Sequence, residues 1–397
     1  MVLGGQWYFL KSSANLNPIL YVGRGTAVLL TSATANEEPV RTSRFLTRQE
    51  LVTTDNVTQG TIQFSTDRET VANATIFENS QITVRTASKP RFHFSDPNYL
   101  IVLENIQGRI ELEIPPGLAR DLTIKLRSPS GEVTLTEPGL FRVIAQDQLL
   151  TLVTLDGVGR LKPINGSVTS IPSDHTATVM PDLATIDVRS AQEDILLNSR
   201  FIGGTESGIP DGWGCSVEAQ EGTPRGTYTL GVFEGRQALR LSREAAGPSE
   251  VGCIQYLGTS DGVTERTGLD VTGYSSVRIR VTLKIASQSI TLCGTEASEC
   301  PLMLRIDYEN EFGGAQEWIH GFFAFEYANQ SVNRMICDSC FLEHDRITPN
   351  AWYTYESPNM LEFPTGFIPS RIKEVRFYSS GHAYTVYVAE VSLIAEY

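Results

Sequence analysis

The stretch "IKLRSPSGEVTLTEPGLFRVIA", residues 124–145, alternates apolar and polar side chains and is divided by turns rich in Ser, Pro and Gly. Alternation with period two places the apolar residues on one face of a β-strand, and Gly and Pro mark the turns between strands. Similar runs are "GTIQFS", "SQITVRTA", "RIELEI" and the closing "EVSLIAEY". Convincing amphipathic helices are absent, so the sequence predicts an all-β fold.

A short unit, glycine-x-apolar-x-apolar, recurs through the first half of the chain. It begins at Gly60, Gly108, Gly131, Gly139 and Gly159. The uneven spacing excludes a solenoid with a strict period. Because glycine tolerates the positive φ of tight turns, we expect a β-sandwich or irregular β-roll whose short strands each begin at a glycine turn.

Length and charge limit the classes of protein that need to be considered. A chain of 397 residues is too long for one ordinary core, so two or perhaps three domains are expected. The net charge is −14, and it is uneven: residues 1–185 carry 18 acidic and 16 basic side chains, the remainder 28 and 16. Nucleic acid is an unlikely partner because no basic stripe is present.

Two observations concern the membrane. No run of about 18 apolar residues occurs, so no helix is expected to cross a bilayer. The first eight residues lack the basic run and apolar stretch of a secretory signal. Membrane attachment is therefore expected only through an anchor or signal outside this chain.

All six cysteines lie in the second half: Cys215, Cys253, Cys293, Cys300, Cys337 and Cys340. An even number confined to one region favours disulfides and an oxidising, extracytoplasmic location. We predict the pairs Cys215–Cys253, Cys293–Cys300 and Cys337–Cys340, although the sequence leaves other connectivities open.

Two alternatives exist for the cysteines. The last four cysteines could form a zinc site with His344, but six residues separate Cys293 from Cys300, which fits poorly with ligand pairs two to four residues apart. A thioredoxin-like role for the Cys337/Cys340 pair is weaker, because that motif normally opens a helix in a βαβ unit.

The first half resembles a bacterial FecR-type domain over residues 25–180. The resemblance rests on residues 124–179 together with "ELVTTDNVTQGTIQFS" and "NSQITVRTA" upstream. The sequence departs from the family where Arg127-Ser128-Pro129 replaces the usual Thr-Pro. The resemblance implies a location outside the cytoplasmic membrane. Sigma-factor regulation is not expected, because the cytoplasmic helical tail that such signalling uses is missing from this sequence.

The second half resembles the galactose-binding-like, carbohydrate-binding-module type of jelly roll over residues 196–397. The resemblance rests on "LLNSRFIGGTESGIPDGWGC", "GRQALRLSRE", "LDVTGYSSVRIRVTLKI" and "AYTVYVAEVSLIAE", which occur in the family's order. Residues 181–195 lose the strand alternation and are predicted to be a linker. Residues 1–24 are predicted to be an N-terminal lead-in segment.

Aromatic residues of the second half are the candidate ligand-binding groups: Trp318, Trp352, Tyr353 and Tyr355. Flat rings bind sugar rings, and nearby acidic and amide groups accept hydroxyl hydrogen bonds. The alternative is burial, because aromatic side chains dominate protein cores. In "WYTYES" successive side chains point to opposite faces, so either Trp352 or the two tyrosines point inward.

A structural calcium ion is a further expectation from the jelly-roll resemblance, since such modules often hold one between their first and last strands. The ligands would come from Glu390 and from either Asn198 or Glu218. A solvated acidic edge is the alternative. No other cofactor is expected.

Catalysis has the weakest support. The five histidines occur in no recognisable triad or metal motif. One predicted strand pair is rich in carboxylates: Asp307, Glu309, Glu311 and Glu317. Two of them could supply the acid and the nucleophile of a glycosidase, but an exposed acidic surface explains these residues more simply. We therefore do not expect an enzyme.

The sequence predicts a non-catalytic bacterial protein of the cell surface that binds glycan or a surface protein through its jelly roll. The alternative is a structural subunit that self-assembles, as a homo-oligomer, into a surface layer, sheath or filament. For this alternative, the N-terminal "ILYVGRGTAVLL" would be an edge strand free to pair with a neighbouring molecule.

Overall fold

A computed structural model of the chain describes most of its residues. The described ranges are 9–31, 37–47, 49–146, 148–180, 186, 188–247, 249–258, 267–327 and 334–396. The chain divides into two compact units, residues 1–191 and 192–397. Both are built from β-strands, so the all-β prediction is confirmed. None of the helices in the described ranges has the length and apolar character needed to cross a membrane.

The strands of the first unit are short, with one exception. They are β1 Ser13–Asn15, β2 Ile19–Arg24, β3 Ala27–Thr31, β4 Glu37–Val40, β5 Ser43–Phe45, β6 Glu50–Thr53, β7 Gln59–Ser65, β8 Thr70–Ile76, β9 Gln81–Pro90, β10 Tyr99–Ile114, β11 Leu122–Ser128, β12 Gly131–Leu135, β13 Gly139–Gln146, β14 Leu149–Asp156, β15 Val158–Pro163, β16 Thr169–Pro172, β17 His175–Val179 and β18 Val188–Ser190.

Two sheets form this unit, and the long strand β10 belongs to both. One sheet has the order β4-β3-β6-β9-β10-β11-β12-β15-β16, with β1 also on β9. The other has the order β5-β2-β7-β8-β10-β13-β14-β17-β18. Only the β10–β11 pair is parallel among these. A shared strand ties the two layers together around one core.

The alternation seen in the sequence explains this core. In β12, Val133 and Leu135 are fully buried, while Glu132 and Thr134, which alternate with them, are partly exposed. Period-two geometry therefore sends the apolar half of each strand into the space between the sheets. Of the glycine units, Gly131 and Gly139 begin strands as predicted, whereas Gly108 lies inside β10.

Two expectations for the N-terminus are wrong. Of the predicted lead-in, residues 1–24, the first eight lie outside the described residues. The rest is not merely a lead-in, because β1 and β2 belong to the sheets and Leu20 and Val22 are buried in the core. The segment "ILYVGRGTAVLL" also has no free edge: β2 pairs with both β5 and β7, and β3 pairs with both β4 and β6.

The predicted linker, residues 181–195, contains two short strands where it is described. Strand β18 pairs with β17 of the first unit. The first strand of the second unit, β19 Glu193–Asp194, pairs with the last strand of the chain. The boundary between the units falls between residues 191 and 192.

The second unit contains longer strands and one short 3₁₀ helix, Met360–Glu362. Its strands after β19 are β20 Gly214–Ala219, β21 Thr227–Phe233, β22 Arg236–Arg243, β23 Ser249–Tyr256, β24 Leu269–Asp270, β25 Ser276–Gln288, β26 Leu302–Asn310, β27 Ala315–Phe323, β28 Asp345–Arg346, β29 Tyr353–Glu356, β30 Pro369–Ser380 and β31 Tyr384–Glu396.

These strands form two sheets around a single core. One sheet has the order β21-β22-β31-β25-β29, with β19 on β31, and the other has the order β20-β23-β30-β26-β27-β28, with β24 on β30. The closing "EVSLIAEY", predicted to be a strand, lies mostly in β31, between β22 and β25. This arrangement is a β-sandwich.

The position of Gly108 generates a prediction. Its φ is +79°, and a Cβ there would lie 2.2 Å from Ser80 Oγ and 2.7 Å from the Asn79 carbonyl oxygen. Gly117 has nearly the same φ, +76°, but no atom within 4 Å of such a Cβ. We expect Gly117→Ala to cost about 1 kcal/mol from the backbone alone, and Gly108→Ala to cost roughly 1–3 kcal/mol more from overpacking.

Hydrogen exchange followed by mass spectrometry measures this difference directly. Peptides from β8, β9 and β10 should lose protection in Gly108→Ala and retain it in Gly117→Ala. Equal protection in the two variants would show that the close contact at residue 108 does not constrain the fold.

Candidate functional site

Three disulfides lie in the second unit: Cys215–Cys253, Cys293–Cys300 and Cys337–Cys340. These are the three pairs expected from the sequence. The first joins the neighbouring strands β20 and β23, and the other two close short loops. In this oxidised state the sulfur atoms are not thiolates, the form in which cysteine binds zinc.

His344 connects the two disulfide loops. Its Nδ1 accepts a hydrogen bond from the Gly321 N–H at 2.9 Å, and its Nε2 lies 2.7 Å from the Ala297 carbonyl oxygen, to which it donates. Ala297 lies inside the Cys293–Cys300 loop. Burial is the main reason that the pKa of His344 falls to about 4. The imidazole is therefore neutral near pH 7 and holds the loops against β27.

A polar surface lies on the β20-β23-β30-β26-β27 part of the second sheet, on the side away from the core. We call it the outer face. Its members are Glu250, Ile254, Tyr256, Arg305, Asp307, Glu317, Glu374, Arg376 and Tyr378. In β26, Ile306 and Tyr308 point into the core and are 0% and 1% exposed. The intervening Arg305 and Asp307 therefore point outward.

Ion pairs hold the charged side chains of the outer face in place. Arg305 binds Asp307 through two contacts, Nε to Oδ1 at 2.7 Å and Nη2 to Oδ2 at 3.0 Å, and reaches Glu317 Oε2 at 3.2 Å. On the neighbouring strand Arg376 pairs with Glu250. Paired contacts of this kind fix the plane of the guanidinium group, so its outward edge has a defined direction.

Two tyrosines lie among these charges. Tyr256 is 45% exposed and lies opposite Glu374 on β30. The ring centroid of Tyr378 is 4.9 Å from the Arg376 guanidinium carbon. Tyr378 also lies opposite Gly252, where a Cβ would come within 2.6 Å of the Tyr378 Cβ. The glycine therefore leaves room for the tyrosine side chain.

Two carboxyl groups of the outer face, Glu250 and Glu374, have a raised pKa, mainly because of burial. Glu374 lies directly opposite Asp307. Burial, followed by the negative charge of Asp307, raises the pKa of Glu374. The outer face therefore combines carboxyl groups of raised pKa with Asp307, whose charge Arg305 compensates.

The four aromatic residues predicted to bind sugar do not lie on this surface, and that prediction is wrong. Trp318, Trp352, Tyr353 and Tyr355 are 0%, 7%, 3% and 7% exposed. Three of them pack in the main core. Burying their large apolar area stabilises the fold more than exposing it would, so the burial alternative describes them correctly.

Trp352 is the one of these four residues that lies outside the main core. It packs on the other sheet with Ala238 and Ala389. Its Nε1 donates a hydrogen bond to Glu234 Oε2 at 2.9 Å, and the Lys284 ammonium is 5.4 Å from its ring. Both the polar edge and the face of this indole are thus already in contact with the protein.

The sequence did contain a signal for the outer face. In "LMLRIDYEN" and "KEVRFYSS" polar or aromatic residues occupy every second position between apolar ones. That pattern identifies Arg305, Asp307, Glu374, Arg376 and Tyr378 as one outward-facing set, provided that the two strands are neighbours. Their adjacency is a property of the tertiary structure.

The carboxylate-rich strand pair is divided by the structure. Asp307 and Glu317 belong to the outer face, whereas Glu309 pairs with Lys373 at 2.8 Å. Glu311 accepts a hydrogen bond from the Gly366 N–H at 2.7 Å, and that bond lowers its pKa. The four carboxylates therefore do not form a single group from which a glycosidase acid and nucleophile could both come.

The calcium prediction finds little support in the arrangement of its ligands. Glu390 Oε1 is 3.0 Å from Arg280 Nε, and its Oε2 accepts a hydrogen bond from Thr282. Asn198 donates its side-chain N–H to the Asp211 carbonyl oxygen. Arg280 already supplies a positive charge beside Glu390 and would repel a cation there. The calcium site stays a prediction.

The first unit contains a separate cleft of about 610 Å³. It is lined in part by Gln81, Gln107 and the ion pair between Glu104 and Arg127. Since the charges compensate one another, the cleft offers mainly neutral amide groups.

Comparisons with known proteins identify no family. No protein-family model matches the chain, and no curated protein matches its sequence. The similar solved structures include a protein described as an anti-sigma factor from Parabacteroides distasonis, with 12% identity and a TM-score of 0.27. The match covers 36% of this chain and 60% of the length of that protein.

Two other solved structures are similar over about half of the chain. The family 11 carbohydrate-binding module of the Clostridium thermocellum cellulase Lic26A-Cel5E has 13% identity and a TM-score of 0.28, covering 52% of this chain and 95% of the module. The enzymatically active domain of tailspike protein 4 from bacteriophage CBA120 has 12% identity and a TM-score of 0.28. That match covers 51% of this chain and 21% of the tailspike chain. Similarity this low assigns no ligand, so the function has to be argued from the outer face itself.

The buried histidines predict a pH dependence. Burial lowers the pKa of both His344 and His382 to about 4, below the usual 6.5. Between pH 6.5 and pH 4 the unfolded state therefore binds more protons, so the free energy of unfolding falls as the pH falls. Each histidine contributes about 3 kcal/mol to this loss.

Urea unfolding at pH 7 and pH 4, followed by tryptophan fluorescence, measures the loss. We expect His344→Gln and His382→Gln each to remove the part of the acid-induced loss of stability that the replaced histidine causes, because glutamine does not titrate. If both variants lose as much stability on acidification as the unmodified chain, the histidines are not the cause.

Proposed function

We propose that the second unit binds a neutral glycan on its outer face. The observation that carries the proposal is the placement of two tyrosines on the same face as the paired charges: Tyr378 against the Arg376 guanidinium group and Tyr256 opposite Glu374. Tyrosine rings can pack against the apolar face of a sugar ring. Guanidinium and carboxylate groups at fixed positions can hydrogen-bond its hydroxyl groups.

The charge of the outer face selects against acidic glycans. Its four carboxylates, Glu250, Asp307, Glu317 and Glu374, outnumber its two arginines. An anionic sugar would meet this excess of negative charge at close range, and the repulsion would lower both its association rate and its affinity. A neutral sugar avoids this cost.

Binding without hydrolysis is the function that we propose. A retaining glycosidase needs a carboxylate nucleophile and a protonated partner. Glu374 has the raised pKa of an acid, but both carboxylate oxygens of Asp307 are bound to Arg305. A carboxylate neutralised in this way is a weak nucleophile.

The three disulfides support an extracytoplasmic location for this activity. The proposal therefore retains the expectation of a bacterial surface or secreted protein. A FecR-like role for the first unit remains part of the proposal, on the sequence resemblance alone.

Glycan binding predicts a specific loss in two variants. Tyr256→Ala and Tyr378→Ala should each weaken binding roughly five- to tenfold, because an aromatic contact contributes about 1 kcal/mol. Affinity electrophoresis and calorimetry against mixed-linkage β-glucan, galactan, xylan and mannan measure the effect, with polygalacturonate as the acidic comparison.

Tyr387→Ala is the matched control, since Tyr387 lies on the other sheet beside Lys284. It should leave affinity unchanged. Binding to polygalacturonate as tight as to the neutral polymers, or no binding to any of the neutral polymers, would contradict the proposal.

Self-assembly is a second candidate function, and strand β21 is the observation that favours it. Among the described residues β21 pairs only with β22. Val232 near its end is 69% exposed. A strand with one unpaired edge and an exposed apolar side chain can add to the sheet of a second molecule.

Val232→Lys should abolish any association that uses this edge, because a charged side chain on an edge strand opposes pairing. Sedimentation velocity across a wide concentration range measures this, and glycan binding should be unaffected. A chain that remains monomeric at the highest concentration would exclude self-assembly through β21.

A further inference from the structure

Two disulfides and His344 form one compact cluster beside β27. Candidate ligand atoms of Cys293, Cys300 and His344 all lie within 4.8 Å of one another, and the same holds for Cys337, Cys340 and His344. The histidine is common to both sets. The four cysteines also share a small apolar cluster, separate from the main core, with Met303 and Phe323 among its members.

The chemistry of this cluster depends on the oxidation state of sulfur. Disulfide sulfur is a poor metal ligand, whereas thiolate sulfur and neutral imidazole are the preferred ligands of Zn²⁺. His344 is a neutral imidazole in this environment, and its Nε2 is 3.8 Å from Cys340 Sγ. Two changes separate the cluster from a set of zinc ligands: reduction of the cysteines, and release of His344 Nε2 from the Ala297 carbonyl.

The fold keeps the two loops together without the disulfides. Backbone hydrogen bonds anchor the chain beside both loops at or just after the end of β27. The Leu292 N–H donates to the Phe325 carbonyl at 3.1 Å, and the Ile347 N–H donates to the Phe323 carbonyl at 2.8 Å. Since these contacts do not involve sulfur, breaking the S–S bonds leaves the cysteines near their present positions. Cys337 and Cys340 also have the two-residue spacing of a zinc ligand pair.

We propose that this cluster is a redox-gated zinc site, closed when the two disulfides are formed and able to bind one Zn²⁺ when they are reduced. The ligands are the sulfurs of Cys293, Cys300, Cys337 and Cys340 together with His344 Nε2, of which the tetrahedral ion takes four. Binding through Nε2 requires that its proton move to Nδ1, so that the imidazole stays neutral. Both present hydrogen bonds of the ring, to the Ala297 carbonyl and from the Gly321 N–H, then break.

The reaction balances with a thiol or phosphine reductant. Each disulfide accepts two electrons and two protons, so that one S–S bond becomes two S–H groups. A dithiol becomes a cyclic disulfide, or a phosphine becomes its oxide with oxygen from water. Zn²⁺ then displaces one proton from every thiol that it binds, so affinity rises with pH.

The two disulfides differ in access to a reductant. Cys340 is partly exposed, whereas Cys293 and Cys300 are 1% and 0% exposed. The Cys337–Cys340 bond should therefore be reduced first. That step alone produces a three-ligand set with His344, and reduction of the second bond supplies the fourth ligand.

The experiment compares the oxidised chain with the chain reduced by a water-soluble phosphine, which is removed under nitrogen before Zn²⁺ is added. Native mass spectrometry counts bound zinc. Co²⁺ used in place of Zn²⁺ reports thiolate ligands through its charge-transfer band. We expect no zinc on the oxidised chain and one Zn²⁺ per reduced chain.

Variants locate the site. Cys337→Ser with Cys340→Ser should weaken zinc binding by 100-fold or more, and His344→Gln by roughly 10- to 100-fold. Cys215→Ser with Cys253→Ser removes the remote disulfide and is the matched control; its zinc binding after reduction should equal that of the unmodified chain.

Three results would overturn the proposal. They are a reduced chain that binds no zinc, zinc binding that persists undiminished without Cys337 and Cys340, and zinc binding that accompanies loss of the near-ultraviolet circular dichroism of the folded second unit. The last measurement is made on the reduced, unmodified chain, so the test does not depend on the folding of any variant.

Discussion

The alternation of side chains along an extended strand is the constraint on which the rest of this structure depends. In β26 one residue enters the core and the next faces outward, so Ile306 and Tyr308 build the interior while Arg305 and Asp307 build the outer face. The same chain segment therefore determines both stability and surface chemistry. A shift of one residue in register would bury the charges and expose the apolar set.

Long strands extend this constraint across each unit. In the first unit β10 pairs with β9 and β11 in one sheet and with β8 and β13 in the other. The strand changes register near Asn105, which has a φ of +53°, before it joins the second sheet. Gly108 follows in the left-handed region. Together these two residues allow one strand to serve both layers of the core.

The second unit shows how buried charge is accommodated in an all-β core. Arg280 is fully buried on β25, with Glu390 on β31 at 3.0 Å and Glu356 on β29 at 3.8 Å. An isolated buried guanidinium would be very costly, so the neighbouring carboxylates are needed for the strands to pack. The same pairing places a positive charge beside Glu390, one of the residues predicted to bind calcium. Charge compensation inside the fold and metal binding compete for the same carboxylate.

The sequence by itself determined the all-β class, because alternation and turn residues are local properties of the chain. It predicted the three disulfide pairs but left other connectivities open, and the pairing of β20 with β23 brings Cys215 and Cys253 together across 38 residues. The sequence could not determine which aromatic residues are exposed. Trp318 and Tyr378 both lie in alternating strands, and only the packing of the second sheet against the core places one inside and the other outside. The outer face and the cluster around His344 likewise join residues far apart in sequence. Their adjacency depends on strand order and on long-range hydrogen bonds, which no single stretch of the chain encodes.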